Sequence, residues 1–272
     1  MRKKYLAPLA AFSIAALYSG AALATPTVFI DGVGVPLGSV PGGLYLSSEN
    51  SFENVVLKKG DELSGIFKVA NIIEQASAVQ TYGYGDNNAF LHGYFNGFIA
   101  DTVVAPTATT PGTITFFNGQ IGYYVSNTDT FTNNAGQPTD FANAGTGTPW
   151  LLGTPAVIDA AGHTLVITIP ANNGLGTFSN ATATTFIDVT GGDAKPYFDT
   201  NTFSNAFSVS GNNDILFQGT ANSGSPNDFP ISGTNALKAN VAAIPEPLTL
   251  SLFGAGLVAA ANLRRRRSRK AQ

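Results

Sequence analysis

Thr113-Ile114-Thr115-Phe116-Phe117-Asn118-Gly119-Gln120-Ile121-Gly122-Tyr123-Tyr124-Val125-Ser126 is the stretch that decides the fold class. β-Branched and aromatic residues, which favour strands, flank a single Asn-Gly pair. Asn-Gly is the strongest short-range hairpin signal, because a type I′ turn requires φ > 0 at both central residues. The expectation is two antiparallel strands, 113–117 and 120–126, joined by a two-residue turn.

Outward from there the same grammar repeats. After His163, Thr164, Val166 and Thr168 alternate with Leu165, Ile167 and Ile169, and Pro170 ends the run by removing a ladder donor. Further strands are expected over Thr27–Asp31, Glu62–Ala70, Phe90–Ala100, Thr184–Val189 and Asp214–Gln218. Val69, Ile72, Ile73, Ala76 and Val79 keep helical spacing, so a short helix competes with strand there. Thr128–Thr148 is a polar, Gly/Asn-rich loop leading to Trp150, the only tryptophan. The expected fold is all-β, a single antiparallel β-sandwich over residues 25–218, with a division near residue 145 as the alternative. Gly219–Ala243 holds Gly, Ser, Asn and Pro with little core potential and reads as a flexible stalk.

The two ends have a different character. Arg2, Lys3 and Lys4 precede a short apolar stretch that closes on Ala22-Leu23-Ala24, the three parts of a secretory signal peptide over residues 1–24. Cleavage is expected after Ala24. At the other end Ile244-Pro245-Glu246-Pro247 leads into an apolar run, Leu248 to Leu263, and then Arg264, Arg265, Arg266, Arg267, Ser268, Arg269 and Lys270. The prolines fix φ and remove donors, so a helix starts after them. Sixteen residues make a helix of about 24 Å, short of the roughly 30 Å hydrocarbon core, so its flanks must snorkel or the bilayer thin. The arginine cluster acts as a membrane stop and holds its own end on the cytoplasmic side. The body between the two ends is then expected outside the inner membrane, having passed the secretion translocon.

This tail, residues 244–272, resembles the PEP-CTERM sorting signal of Gram-negative bacteria. The resemblance implies that Pro245, Glu246 and Pro247 mark the processing site of an exosortase-type enzyme. The inner membrane then holds the precursor only transiently, and the mature form goes to the cell surface or extracellular matrix. Such a signal typically occurs in bacteria that make extracellular polysaccharide. A second resemblance lies in the body. Phe186-Ile187-Asp188-Val189-Thr190-Gly191-Gly192-Asp193-Ala194, then Tyr197-Phe198-Asp199-Thr200-Asn201-Thr202, is similar to the late segment of flocculation-associated PEP-CTERM proteins. Gly60-Asp61-Glu62-Leu63-Ser64-Gly65-Ile66 fits their early strand. The role this implies is association with extracellular polysaccharide in floc or biofilm formation.

Charge and chemistry narrow the classes independently. The whole chain is formally −3, but most of its cations lie in the two ends. Residues 25–243 keep five lysines against sixteen acids, a net charge of about −11. Nucleic acid requires a basic footprint and is excluded as a partner. The chain has no cysteine, which removes disulfides, thiol catalysis and Cys-based zinc sites. His92 and His163 have no accompanying ligand pattern and read as ordinary histidines. No nucleophile elbow or P-loop occurs, and the spacing after Gly32-Val33-Gly34 is wrong for a dinucleotide.

Glu53, Asp61, Glu62, Asp86 and Asp101 are candidate acids for a carbohydrate-active hydrolase, but nothing in the sequence selects a pair. Asp86-Asn87-Asn88 and Asn212-Asn213-Asp214 concentrate hard oxygen ligands, as calcium sites do, and Asn and Asp are also the default turn residues. No cofactor is expected beyond such a structural calcium. Tyr82, Tyr84, Tyr94 and Trp150 are the candidates for stacking on sugar rings, alongside Tyr123 and Tyr124. The functional expectation is an exported, non-enzymatic surface or matrix protein that binds polysaccharide, with a secreted hydrolase and a purely structural coat component as alternatives.

Overall fold

The computed structural model describes residues 27–30, 33–36, 44–75, 78–204, 211–225 and 227–242. The expected signal peptide with Ala22 and Ala24 lies outside the described residues. So do Pro245, Glu246 and Pro247, the 248–263 helix and Arg264, Arg265, Arg266 and Arg267. No helix among the described residues is long and apolar enough to cross a membrane.

The chain between is predominantly β, and its pairings are antiparallel throughout. In order the strands are β1 (Thr27–Ile30), β2 (Val33–Pro36), β3 (Leu44–Glu53), β4 (Glu62–Glu74), β5 (Val79–Gly83), β6 (Phe90–Val104) and β7 (Gly112–Ser126). Helix α1 (Gln137–Ala144) follows, then β8 (Thr148–Pro155), β9 (Leu165–Ile169) and β10 (Ala181–Gly191). The short α2 (Lys195–Phe198) leads to β11 (Phe203–Ser204), β12 (Asn212–Asn213), β13 (Ile215–Ser223) and β14 (Ile231–Asn240).

One sheet holds ten of these strands, in the order β13-β14-β3-β4-β6-β7-β8-β10-β9, with β5 attached to β4. β10 also pairs with β13, over Ala181↔Ala221 to Ile187↔Ile215, so the hydrogen bonding runs round a closed ring. β8 and β9 lie end to end in one position of that ring. β8 pairs with Ile121–Val125 of β7, and β9 with Gly112–Phe116. The expected sandwich presumes two separate sheets; here a single sheet closes on itself. Closure satisfies backbone donors and acceptors that open edges would expose.

Alternation fills the ring. Leu63, Phe67 and Val69 of β4, Leu91 and Phe95 of β6, and Leu165 and Ile169 of β9 are all buried in one large core. Leu63, Ile114, Ile167, Ala183, Gly219 and Asn235, from six different strands, line one void of about 40 Å³. Burying each large apolar side chain is worth about 1.5–3 kcal/mol.

Four further sequence expectations change. Asn118-Gly119 makes no hairpin: β7 runs straight through it, although Asn118 (φ 62) and Gly119 (φ 107) both take the positive φ that the pair suggests. The inward residues are Ile114 and Phe116 before it, but Ile121, Tyr123 and Val125 after it. The two left-handed residues therefore switch which parity faces the core. The Val69–Val79 segment is strand as far as Glu74, because its apolar residues pair across to β3 and β5 rather than forming a helical face. The expected stalk is structural: most of β13 and all of β14 fall in it, and β14 joins β13 to β3 over its whole length. Ile231, Leu237, Ala239 and Val241 are buried there, a sparse apolar set that sufficed for a strand between two others. The polar 128–148 loop also contains α1, which begins with a proline in its first turn, a position that needs no donor.

Candidate functional site

The most developed surface feature grows from a bulge. β4 and β6 pair as Leu63↔Phe98 and then Gly65↔Phe95, so Asn96 and Gly97 stand opposite Ser64 alone. Gly97 takes φ 74 at the extra position. Bulges re-aim side chains next to functional sites. Here the Gly97 N–H donates to Glu62 Oε1 at 2.8 Å, fixing a carboxylate at the surface. Asn96 Oδ1 accepts from Gln120 Nε2 at 2.7 Å, which leaves the Asn96 NH₂ as the group that can donate.

Next along β6, Tyr94 stacks on Tyr124 of β7, with ring centroids 5.7 Å apart and planes 15° from parallel. The two hydroxyls are 3.3 Å apart, with Tyr124 Oη donating to Tyr94 Oη. Burial, followed by the Tyr94 hydroxyl, pushes the Tyr124 phenol up to about 12, so it remains a donor at neutral pH. Gly122 sits opposite Tyr94 across the ladder, and a Cβ there would come within 2.8 Å of Tyr124 Cε2. That glycine leaves the space in which the second ring lies over its neighbour.

α1 supplies the far wall. Phe141 meets Tyr94 edge-on at 6.2 Å, and a Cβ on Gly145 would lie 3.2 Å from Tyr94 Cε1. The buried Asp140 holds the helix entry by accepting from Thr132 Oγ1 at 2.5 Å and Ala135 N at 3.2 Å. The β13–β14 connection clamps the same end: Gly136 N donates to Asp228 Oδ2 at 2.7 Å, and Phe229 packs on Phe141 at 5.8 Å. Ile66, Ala144 and Phe229, with Phe52, Tyr94, Phe131 and Phe141, form a small apolar cluster apart from the main core. The result is an open groove of about 500 Å³ lined by Glu62, Ser64, Tyr94, Asn96, Phe141, Ala142 and Gly145. Volumes of this order suit small ligands or one unit of a polymer.

The four expected stacking residues separate. Tyr82 is fully buried, with its hydroxyl donating to Ala89 O and accepting from Leu91 N, both at 2.9 Å. Trp150 is buried against Tyr123 and Phe198. Tyr84 is half-buried, donates to Asp129 Oδ1 at 2.8 Å, and carries the Lys68 ammonium 5.3 Å from its ring centre. Tyr94 alone of the four lines the open groove. A sugar platform built from all four is therefore excluded by geometry: two of the rings are interior.

The candidate acids also go to separate tasks. Asp61 Oδ2 accepts from the Leu57 and Lys58 amides at 3.0 and 3.1 Å, and Asp86 Oδ2 from Gly83 N at 2.6 Å. Asp101 pairs with Lys59 at 2.7 Å and His163 at 3.1 Å. Glu53 accepts from Ser51 and lines the small interior voids of about 40 and 30 Å³, where burial lifts its carboxyl to about 7. Spaces of that size suit single waters and exclude a sugar.

The proposed calcium turns hold themselves together. Asp214, nearly fully buried, accepts from the Val189, Thr200 and Asn201 amides, each at 2.7 Å, and Asn213 Nδ2 donates to Asp188. Among the described residues no group of three or more His, Asp or Glu is placed to hold a metal ion. His92 is buried beneath the loop before β8, with Nε2 3.0 Å from Thr146 O, and burial lowers its pKa.

Sequence reasoning did not single out Glu62 with Ser64, Asn96 and Phe141 as one site. One signal was available: Phe95-Asn96-Gly97 and Phe117-Asn118-Gly119 repeat one tripeptide in two long strand candidates, as paired backbone irregularities would. In comparisons with protein families, curated proteins and solved structures, nothing matches the chain, so its chemistry is read from this groove alone.

Proposed function

We propose that the chain is an exported surface protein, sorted through its C-terminal segment by an exosortase-type enzyme, that associates with extracellular polysaccharide in floc or biofilm matrix. The observation that carries the ligand is the groove beside Tyr94, where a flat ring, an oriented amide, a hydroxyl and a fixed carboxylate converge on open space. Polysaccharide recognition combines such a ring with such polar groups. The order Pro245-Glu246-Pro247, apolar run, arginine cluster supports the destination. In the proposed precursor, a signal peptide and a sorting helix flank the β-rich domain, and the mature form acts by binding rather than by bond cleavage.

The test is genetic. A deletion strain should secrete its polysaccharide but retain less of it on cells. The wild-type chain should restore retention, and a Tyr94→Ala chain should restore well under half of it. Mass spectrometry of the matrix-associated protein should find an end near Pro245-Glu246-Pro247, without Arg264. Unaltered retention in the deletion strain would sink the matrix role, and an intact arginine end on matrix protein would sink the sorting role. Release of reducing ends from the polysaccharide would move the case to a hydrolase.

A further inference from the structure

We propose that the groove beside Tyr94 takes uncharged sugar units and rejects acidic ones, and that Glu62 makes the selection. This rests on the polysaccharide reading above and names the chemical class it leaves open.

Glu62 is exposed, yet its geometry is set. Gly97 N–H donates to Oε1 at 2.8 Å from the extra position of the bulge, where Gly97 takes φ 74. Glu62 lines the groove, and that bond uses only one of its two carboxylate oxygens. A carboxylate held by a backbone donor is pre-organised to accept sugar hydroxyls, and hydrogen bonds to a charged acceptor are the stronger kind. Asn96 complements it as a donor, since Gln120 ties down its carbonyl oxygen at 2.7 Å. Ser64 adds a hydroxyl that both donates and accepts. Tyr94 offers apolar ring surface for the C–H face of a pyranose, braced by Tyr124 and Phe141.

The lining residues include no lysine, arginine or histidine. A uronate or sulfate ester seated on Tyr94 would approach the Glu62 carboxylate with nothing to neutralise it, and like charges a few ångströms apart repel strongly. The net charge of about −11 on residues 25–243 adds to that repulsion at longer range. Lys68, on the same strand as Glu62, lines a different groove with Asn50, Phe52 and Thr234, and its ammonium lies over Tyr84 and Phe131.

The probe is polysaccharide extracted from the producing cells and split by anion exchange into neutral and acidic fractions. Binding is measured with the full-length chain in a non-glycosidic detergent, with chelator present. Wild type should bind the neutral fraction at least ~10-fold more tightly than the acidic one. Glu62→Gln keeps a carbonyl for the Gly97 amide, so its melting temperature should stay unchanged. It should lose ~10-fold on the neutral fraction, the worth of one charge-assisted hydrogen bond, and its discrimination against the acidic fraction should narrow. Wild type binding the acidic fraction as tightly as the neutral one would overturn the inference. So would an unchanged neutral-to-acidic ratio in Glu62→Gln. If neither fraction binds, the polysaccharide reading itself falls, an outcome distinct from binding with the wrong selectivity.

Discussion

His163 shows what a single residue does at the other end of β6. Its Nδ1 lies 2.6 Å from Asp159 Oδ2 and its Nε2 3.1 Å from Asp101 Oδ2, with the Phe117 ring stacked at 4.9 Å. Burial disfavours the charged ring, but the hydrogen bonds to Asp159 and Asp101 outweigh it and raise its pKa above 6.5. Lys59, then His163, holds Asp101 down to about 2, so that carboxylate stays ionised throughout the range where His163 titrates. The folded state therefore binds the histidine proton more tightly than the unfolded chain does. The resulting stability is fully present below the ordinary histidine value and is lost as pH rises through the folded one. Glu53, lifted to about 7 by burial, also favours folding at the lower pH, so a His163 variant is needed to isolate the histidine's contribution. His163→Gln should be less stable than wild type at pH 6, and the gap should narrow as the pH is raised to 9. Thermal melts at both pH values check this; a gap independent of pH would mean that the pair is packing and not charge.

At the scale of elements, the paired Asn-Gly segments in β6 and β7 are the decisive feature. Asn96↔Gln120 and Phe98↔Asn118 remain in register on either side of Gly97 and Gly119. Both strands switch parity together, from Leu91 and Phe95 to Phe98 and Ala100 in β6, so the ladder survives the irregularity. The two glycines differ in surroundings. A Cβ on Gly119 would lie 2.6 Å from the Phe98 ring, whereas one on Gly97 would meet only the Gly119 Cα, at 3.8 Å. Gly97→Ala should cost about 1 kcal/mol, the strain of a left-handed residue alone. Gly119→Ala should cost about 2–4 kcal/mol, because a packed ring must also move. Chemical denaturation of the two variants separates the cases, and equal losses would contradict the packing at Phe98. Two long runs of strand-forming residues around Asn118-Gly119 were legible in the sequence, and so were the left-handed dihedrals. Whether those dihedrals reverse the chain or only flip its faces was not, because both outcomes place the same apolar residues at alternating positions.

For the whole molecule, closure of the ring is what the last strand contributes. β14 pairs with β13 on one side and β3 on the other, so without it two long edges face solvent. A chain ending at residue 218, where the folded body would end if the rest were a stalk, loses β14 and most of β13. It also loses Asp228 and Phe229, which clamp α1 against the Tyr94 groove. That truncation should abolish cooperative unfolding and leave aggregated material in the soluble fraction, as followed by circular dichroism and gel filtration. A sharp melt near the wild-type temperature would show that the segment is dispensable after all.

The sequence by itself determined the all-β class, the position of most long strands and the acidic body, because alternation, turn residues and charge are local properties of the chain. It also carried the readings of the two termini, which rest on composition and order. The tertiary structure decided what no local pattern encodes. Tyr82 and Trp150 became core while Tyr94 faced a groove, since burial of an aromatic depends on which strand lies opposite. Ile231–Asn240, within the expected stalk, became a strand because its neighbours satisfy both of its edges, a gain invisible in its own weak hydrophobicity. Glu62 became a fixed surface carboxylate only because a bulge one strand away turned the Gly97 amide toward it.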